Sequence, residues 1–253
     1  MPHSTLLEIH QRKTGKVSDK WEAYFPVYER LLAPIRSERL SLLEIGVQNG
    51  GSLDVWAEYL RDAEHIIGCD INPRCDDLWY DDSRINVVVG NACTAETRDR
   101  ILAYAPAFDV IIDDGSHLSA DIVQAFLMYF PALKPGGVFV VEDMHAVYRA
   151  VVGGGVLSQT SAQQFFKGVA ELTNLEHWKD QVHPQTLLAT FFPTPGSLPP
   201  WLVEGQVLGV EFLNSMVVIR KSTGPALLGQ RLVGGDEATV FPGVLAHKKA
   251  VGT

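Results

Sequence analysis

The sequence predicts an α/β protein built on a seven-stranded, mostly parallel sheet with helices on both faces. Three observations predict it. Five short apolar runs, at 40–46, 65–70, 85–89, 108–113 and 137–143, recur through the middle of the chain. Helical patterns separate them at 52–61, 94–104 and 119–130. Two more apolar runs, VLGVEFL (207–213) and SMVVIRK (215–221), flank Asn214 and read as a tight hairpin. Buried strands alternating with helices give a parallel sheet covered on both sides, and the hairpin closes it with an antiparallel pair.

Taken in order, residues 5–36 read as helical, with Tyr24, Tyr28, Leu31 and Leu32 at i, i+4, i+7 and i+8. Pro34 and the polar stretch 37–39 end that region. The first strand closes on Gly46, and Ser52 is the candidate N-cap of the next helix. After about residue 150 the rhythm changes. VVGGGVLSQT reads as flexible, 160–173 as a helix, and FFPTPGSLPP (191–200) as a proline-rich loop. The tail from Ser222 is rich in glycine and alanine and reads as a subunit contact or a loose arm. The expected organisation is one domain over 1–221, with a helical cover at 1–39, and a tail at 222–253.

Composition narrows the function. The 253 residues are ample for a continuous core, and 46% apolar with 20% charged residues is ordinary globular usage. The net charge of -9 argues against a nucleic-acid partner, which calls for a basic surface. Three cysteines without paired spacing fit a reducing cytoplasm better than a disulfide framework. MPHSTLLEIHQRKTGK lacks the apolar core of a signal peptide, and no apolar run approaches the ~18 residues of a membrane span. A homodimer is the expected assembly.

In parallel sheets ligands bind beyond the carboxyl ends of the strands. Those ends carry Glu44 to Gly46, Asp70, Gly90 to Ala92, Asp113 to His117, and Glu142 to His145. The glycines of EIGVQNGGS (44–52) let backbone approach a ligand, and a helix N-terminus follows. The spacing is not G-x-G-x-x-G, which weakens a nicotinamide-dinucleotide reading. Asp70 suits ribose hydroxyls, and Asn91 can pair with an adenine edge. The sharper signal is Asp113-Asp114-Gly115-Ser116-His117, followed one helix later by Glu142-Asp143-Met144-His145. Asp114, Glu142 and Asp143 converging in one cleft would repel unless a hard cation such as Mg²⁺ or Ca²⁺ sat between them. The competing explanation is that these acids cap helices and loop amides. A metal can grip an alcohol and lower its pKa, and His117 or His145 can take the proton. Among the aromatic residues Trp21, Tyr24, Tyr148, Phe165, Phe166, Trp178 and Trp201, most are expected in the core; Tyr148 is the first candidate for the acceptor wall. Lys20 either meets a carboxylate of the cofactor or is solvated.

These residues resemble class I S-adenosyl-L-methionine (SAM) methyltransferases, whose Rossmann-like sheet has seven strands with the last antiparallel. The resemblance implies that Glu44, Gly46 and Ser52 serve the methionine end, Asp70 the ribose and Asn91 the adenine, with Asp113 also on the cofactor side. The D-D-G-S-H loop and later E-D pair are more narrowly similar to metal-dependent sugar O-methyltransferases of the mycinamicin and elloramycin type and to cephalosporin-hydroxylase-like relatives. Ser18-Asp19-Lys20-Trp21 and Ser215-Met-Val-Val-Ile extend the similarity over roughly 15–221. It implies Asp114, Glu142 and Asp143 as Mg²⁺ ligands and His117 as base. His145 departs from the uncharged polar residue common there, so it is either the working base or a substrate contact. The implied acceptor is a glycoside or oligosaccharide with a free hydroxyl, extending by analogy to mannose units of mycobacterial methylated polysaccharides. The alternatives are a hydroxylase-like enzyme acting on a small antibiotic-type substrate with an electron partner, a NAD-binding domain, and a non-catalytic scaffold.

Overall fold

A computed structural model describes residues 4–247. Seven strands form one sheet in the order β3-β2-β1-β4-β5-β7-β6. They are β1 (Ser41–Ile45), β2 (His65–Asp70), β3 (Ile85–Val89), β4 (Phe108–Asp113), β5 (Leu133–Val141), β6 (Val207–Leu213) and β7 (Met216–Lys221). The β5–β7 and β6–β7 pairs are antiparallel and the others are parallel. Strand order reverses between β1 and β4, so a crevice opens at their carboxyl ends.

The pleat sorts side chains onto two faces. Leu43, Ile45, Ile67 and Ile111 enter one apolar layer, packed by α5 (Ser119–Tyr129) and α6 (Ala162–Leu172). Leu42, Ile66, Val110, Ile112 and Val140 enter the other, packed by α1 (Leu6–Arg12), α2 (Tyr24–Leu32) and α3 (Gly51–Tyr59). The remaining α-helices among the described residues are α4 (Ala95–Tyr104) and the single turn α7 (Pro184–Leu187). Burying α2 on Tyr24, Phe25, Tyr28, Leu31 and Leu32 fixes the N-terminal cover on the sheet.

Two expectations need correction. Residues 5–36 are not one helical region: residues 13–23 lie between α1 and α2 without α-helical structure, broken at Gly15 with φ +79°. That stretch crosses the N-terminus of α3, where Gly51 donates its N–H to the Val17 carbonyl at 3.1 Å. A Cβ on Gly51 would stand 2.4 Å from the Lys16 and Val17 backbone, so this glycine serves packing. Ser52 is not the N-cap; Gly50 occupies that position at φ +79°. The chain after β7 is tied back by Ala226 N–H to the Gly205 carbonyl and Leu228 N–H to the Glu176 carboxylate. The expected tail at 222–253 is described to residue 247; its last six residues lie outside the described residues, as do residues 1–3.

Candidate active site

Strand parity builds the site. Glu44 follows Leu42, Asp114 follows Ile112, and Glu142 follows Val140, so all three acids end on the α2 and α3 side of the sheet. Register puts β1 beside β4 and β4 beside β5, which makes them neighbours. Lys20, from the connector between α1 and α2, fills the gap. Its ammonium lies 2.8 Å from Asp114, 2.8 Å from Glu142 and 3.3 Å from Glu44, with the side chain 6% exposed. Its N–H donors are thereby committed, so it is neither solvated nor free for a cofactor carboxylate. Burial lowers its pKa, but the three carboxylates outweigh that and hold it well above its ordinary value.

Glu44 lies behind the cavity wall and accepts from Ser52 Oγ at 2.5 Å and Trp56 Nε1 at 3.2 Å. Burial raises its carboxyl pKa against the opposing pull of Lys20. Glu142 is also buried, accepts from the Tyr28 hydroxyl, and is likewise raised by burial against Lys20.

A cavity of about 560 Å³ spans the crevice. Its β1–β3 half is lined by Gly46 to Gln48, Asp70 to Asn72 and Gly90 to Cys93. Asp70 Oδ2 accepts the Val47 and Gln48 N–H groups at 2.9 and 2.8 Å, and Oδ1 accepts that of Asn72 at 2.8 Å. The carboxylate therefore shapes the glycine loop as well as facing the cavity. Gly46, at φ +91°, passes so close to β4 that a Cβ would sit 2.0 Å from the Asp114 carbonyl. Asn91 Oδ1 is used within its own turn by Cys93 N–H at 2.9 Å. Asp113 faces the opposite layer from Asp114. Its Oδ2 is buried with no hydrogen-bond partner, and burial raises its pKa to about 7.

The β4–β5 half holds the chemistry. Asp114, His117 and Asp143 offer ligand atoms within 4.8 Å of one another. His117 Nε2 lies 3.7 Å from Asp143 Oδ2, and His145 Nδ1 lies 3.9 Å from Oδ1. Tyr24 Oη donates to Asp143 Oδ1 at 2.7 Å, Trp21 Nε1 donates at 3.1 Å, and the Asp143 N–H donates to Tyr24 Oη at 3.0 Å. Ser215, in the β6–β7 turn, places Oγ 2.6 Å from His145 Nδ1 and 2.7 Å from Tyr24 Oη. The distal hairpin thus buttresses the loop that carries Asp143 and His145. Gln48, His117, Asp143 and Ser215 are the non-glycine residues with positive φ among those described, and all four stand at this end of the sheet. Such backbone costs of order 1–3 kcal/mol per residue and concentrates at functional sites.

The Asp114 and Asp143 carboxylates at a cavity wall fit a divalent cation with positions left for water or acceptor oxygen, and the His117 imidazole stands within reach of the same point. Of the expected ligands Asp114, Glu142 and Asp143, all three line the cavity; the Glu142 carboxylate pairs with Lys20 and Tyr28, and His117 stands beside Asp114 and Asp143. Sequence reasoning gave Tyr28 and Ser215 no role in the site, named Tyr24 only among aromatic residues expected mostly in the core, and set Lys20 against a cofactor carboxylate or solvent rather than Glu44, Asp114 and Glu142. Strand parity could have placed Glu44, Asp114 and Glu142 together and so called for a buried cation.

Residues 43–144 match the model of a methyltransferase domain. That match and the β3-β2-β1-β4-β5-β7-β6 sheet give this region the class I methyltransferase fold. Among its relatives, the mycinamicin VI 2''-O-methyltransferase of Micromonospora griseorubida is 30% identical over 205 residues, covering 78% of this chain and 48% of its own length. An 8-demethyl-8-alpha-L-rhamnosyl tetracenomycin-C 2'-O-methyltransferase of Streptomyces olivaceus is 40% identical over 141 residues, covering 52% of this chain and 36% of its own. The structure of MycE methyltransferase from the mycinamycin pathway with Mg, SAH and mycinamycin VI superposes with a TM-score of 0.69 at 26% identity, covering 87% of this chain and 54% of that one. The chain spans about half the length, or less, of these relatives.

Proposed function

We propose that this protein transfers a methyl group from SAM to a sugar hydroxyl with the help of a divalent cation, Mg²⁺ by analogy with the solved relative. The convergence of Asp114, His117 and Asp143 in the cavity that Gly46 and Asp70 also line carries the reading. Relatives named as O-methyltransferases of a rhamnosyl tetracenomycin-C and of mycinamicin VI support it.

When bound, SAM supplies an electrophilic methyl on a sulfonium and the cation polarises the acceptor hydroxyl. The rest falls to this chain. The loop 46–48, braced by Asp70, and the nearby Asn91 form the cofactor half. Asp114 and Asp143 would hold the cation, and Lys20 offsets the surplus negative charge at Asp114 and Glu142. His117, beside Asp143, takes the hydroxyl proton at Nε2. His145, pinned at Nδ1 by Ser215, orients the acceptor. The net charge of -9 supports an acceptor other than nucleic acid, and the free cysteines support a reducing cytoplasm. Exposed Leu227, Leu228, Leu232 and Phe241 support self-association. Among the described residues no helix is long and apolar enough to cross a membrane.

The test is methyl transfer from labelled SAM to a panel of glycosides. Chelation should abolish it and Mg²⁺ restore it; undiminished transfer after thorough chelation refutes the metal role. His117→Ala should lose about 10²- to 10⁴-fold in kcat, the range of a general base. His145→Ala should act mainly on acceptor KM, and the reverse pattern would exchange the two assignments.

A further inference from the structure

The crevice separates two tasks. Asp70 and Asn91 stand at the ends of β2 and β3, whereas Asp143, His145 and Ser215 stand beyond β5 and before β7, across the switch point. On that second side the aromatic residues differ in state. Tyr24 and Tyr28 are buried. Phe165 and Phe166 are core residues, and Trp178 and Trp201 pack against the same core. Tyr148 is exposed but is not part of the cavity wall. Trp21 combines both properties: it lines the cavity and is 59% exposed.

Its ring is also held. The indole N–H donates to Asp143 Oδ1 at 3.1 Å. His145 meets it edge-on, with ring centroids 5.8 Å apart and planes at 90°. Large exposed aromatic surface is unfavourable in water, and here it is fixed beside the carboxylate assigned to the cation. The negative face of an aromatic ring attracts C–H bonds, which carry slight positive charge. A pyranose ring presents a face of such bonds with hydroxyls at its rim. A flat platform tethered to Asp143 would bring that rim toward Asp143 and His117.

We propose that Trp21 is the stacking platform of the acceptor subsite, taking the C–H face of a pyranoside and setting which hydroxyl reaches Asp143. This inference rests on the sugar O-methyltransferase reading and adds the acceptor-binding residue to it. It replaces the sequence expectation that Tyr148 leads the acceptor wall.

The test titrates the full chain, loaded with SAH and Mg²⁺, with methyl α-L-rhamnopyranoside, methyl α-D-mannopyranoside and catechol. Saturation-transfer NMR and calorimetry follow binding to wild type, Trp21→Ala and Trp21→Phe. Wild type should bind at least one glycoside with ring C–H protons saturated most. Trp21→Ala should weaken it by about tenfold or more, the worth of an aromatic-face contact. Trp21→Phe, which keeps a ring but loses the bond to Asp143, should retain binding within about threefold. SAH affinity should be unchanged in both variants, which also shows that they are folded. Wild-type glycoside affinity in Trp21→Ala overturns the proposal. So does equal loss in both variants, which would credit the N–H bond, or Trp21-dependent binding of catechol alone. Binding of SAH without any glycoside overturns the subsite too, whereas failure to bind SAH at all strikes the methyltransferase reading itself.

Discussion

Lys20→Met tests the electrostatic core of the site. The substitution keeps the length and apolar stem of the side chain and deletes its charge. Lys20 Nζ is 2.8 Å from both Asp114 and Glu142 and 3.3 Å from Glu44. Glu44 and Glu142 are 0% and 2% exposed, so water cannot replace the ammonium. Removing one partner of a buried ion pair costs about 3–5 kcal/mol, because the remaining charge is stranded. For a chain of this size that corresponds to a fall in Tm of roughly 10 °C. Thermal and urea unfolding of Lys20→Met, Glu142→Gln and the double variant would measure it. The double variant should be less destabilised than the sum of the singles by at least about 1.5 kcal/mol, since the substituted amide has no charge left to strand. A Lys20→Met protein within about 0.5 kcal/mol of wild type, or additive singles, would refute the reasoning.

Asp70→Ala removes the acceptor of three backbone N–H groups, so the 46–48 loop should loosen and SAH affinity fall by about tenfold or more; calorimetry showing wild-type affinity would contradict this. Gly46→Ala should destabilise the protein and weaken SAH binding, because its Cβ would meet the Asp114 carbonyl at 2.0 Å; normal melting would show that β4 can yield. Burial raises Asp113 from 3.8 to about 7, so the folded state holds this proton more tightly than the unfolded chain. Its contribution to stability should therefore fall as pH rises between about 4 and 7 and level off above, by at most about 4 kcal/mol. Urea unfolding of Asp113→Asn should show a shallower decline with pH than wild type, and identical profiles would exclude Asp113 as the source.

The first five strands were legible because each is a short apolar run closed at its carboxyl end by glycine or acid. The runs at 65–70, 85–89 and 108–113 coincide with β2, β3 and β4. The hairpin was legible from two apolar runs flanking Asn214, and it supplied the antiparallel end of the sheet. The acids were legible because charged residues are anomalous at the ends of buried strands. Residues 13–23 were misread because the apolar spacing of α2 was extended backward across Gly15, where the chain turns.

Sequence alone therefore determined the class of sheet, the crevice end and the acids that crowd it, since these follow from local patterns of period two and from charge in apolar surroundings. Only tertiary structure decided how the acids divide. Pleat and register gather Glu44, Asp114 and Glu142 around Lys20, with Glu44 behind the cavity wall and Asp114 and Glu142 on it, while Asp143 is turned to Trp21, His117 and His145. Lys20 is 94 residues from Asp114, and Tyr24 is 191 from Ser215. Contacts over such separations leave no periodic trace in the chain, because they arise from packing of the N-terminal cover against the far end of the sheet.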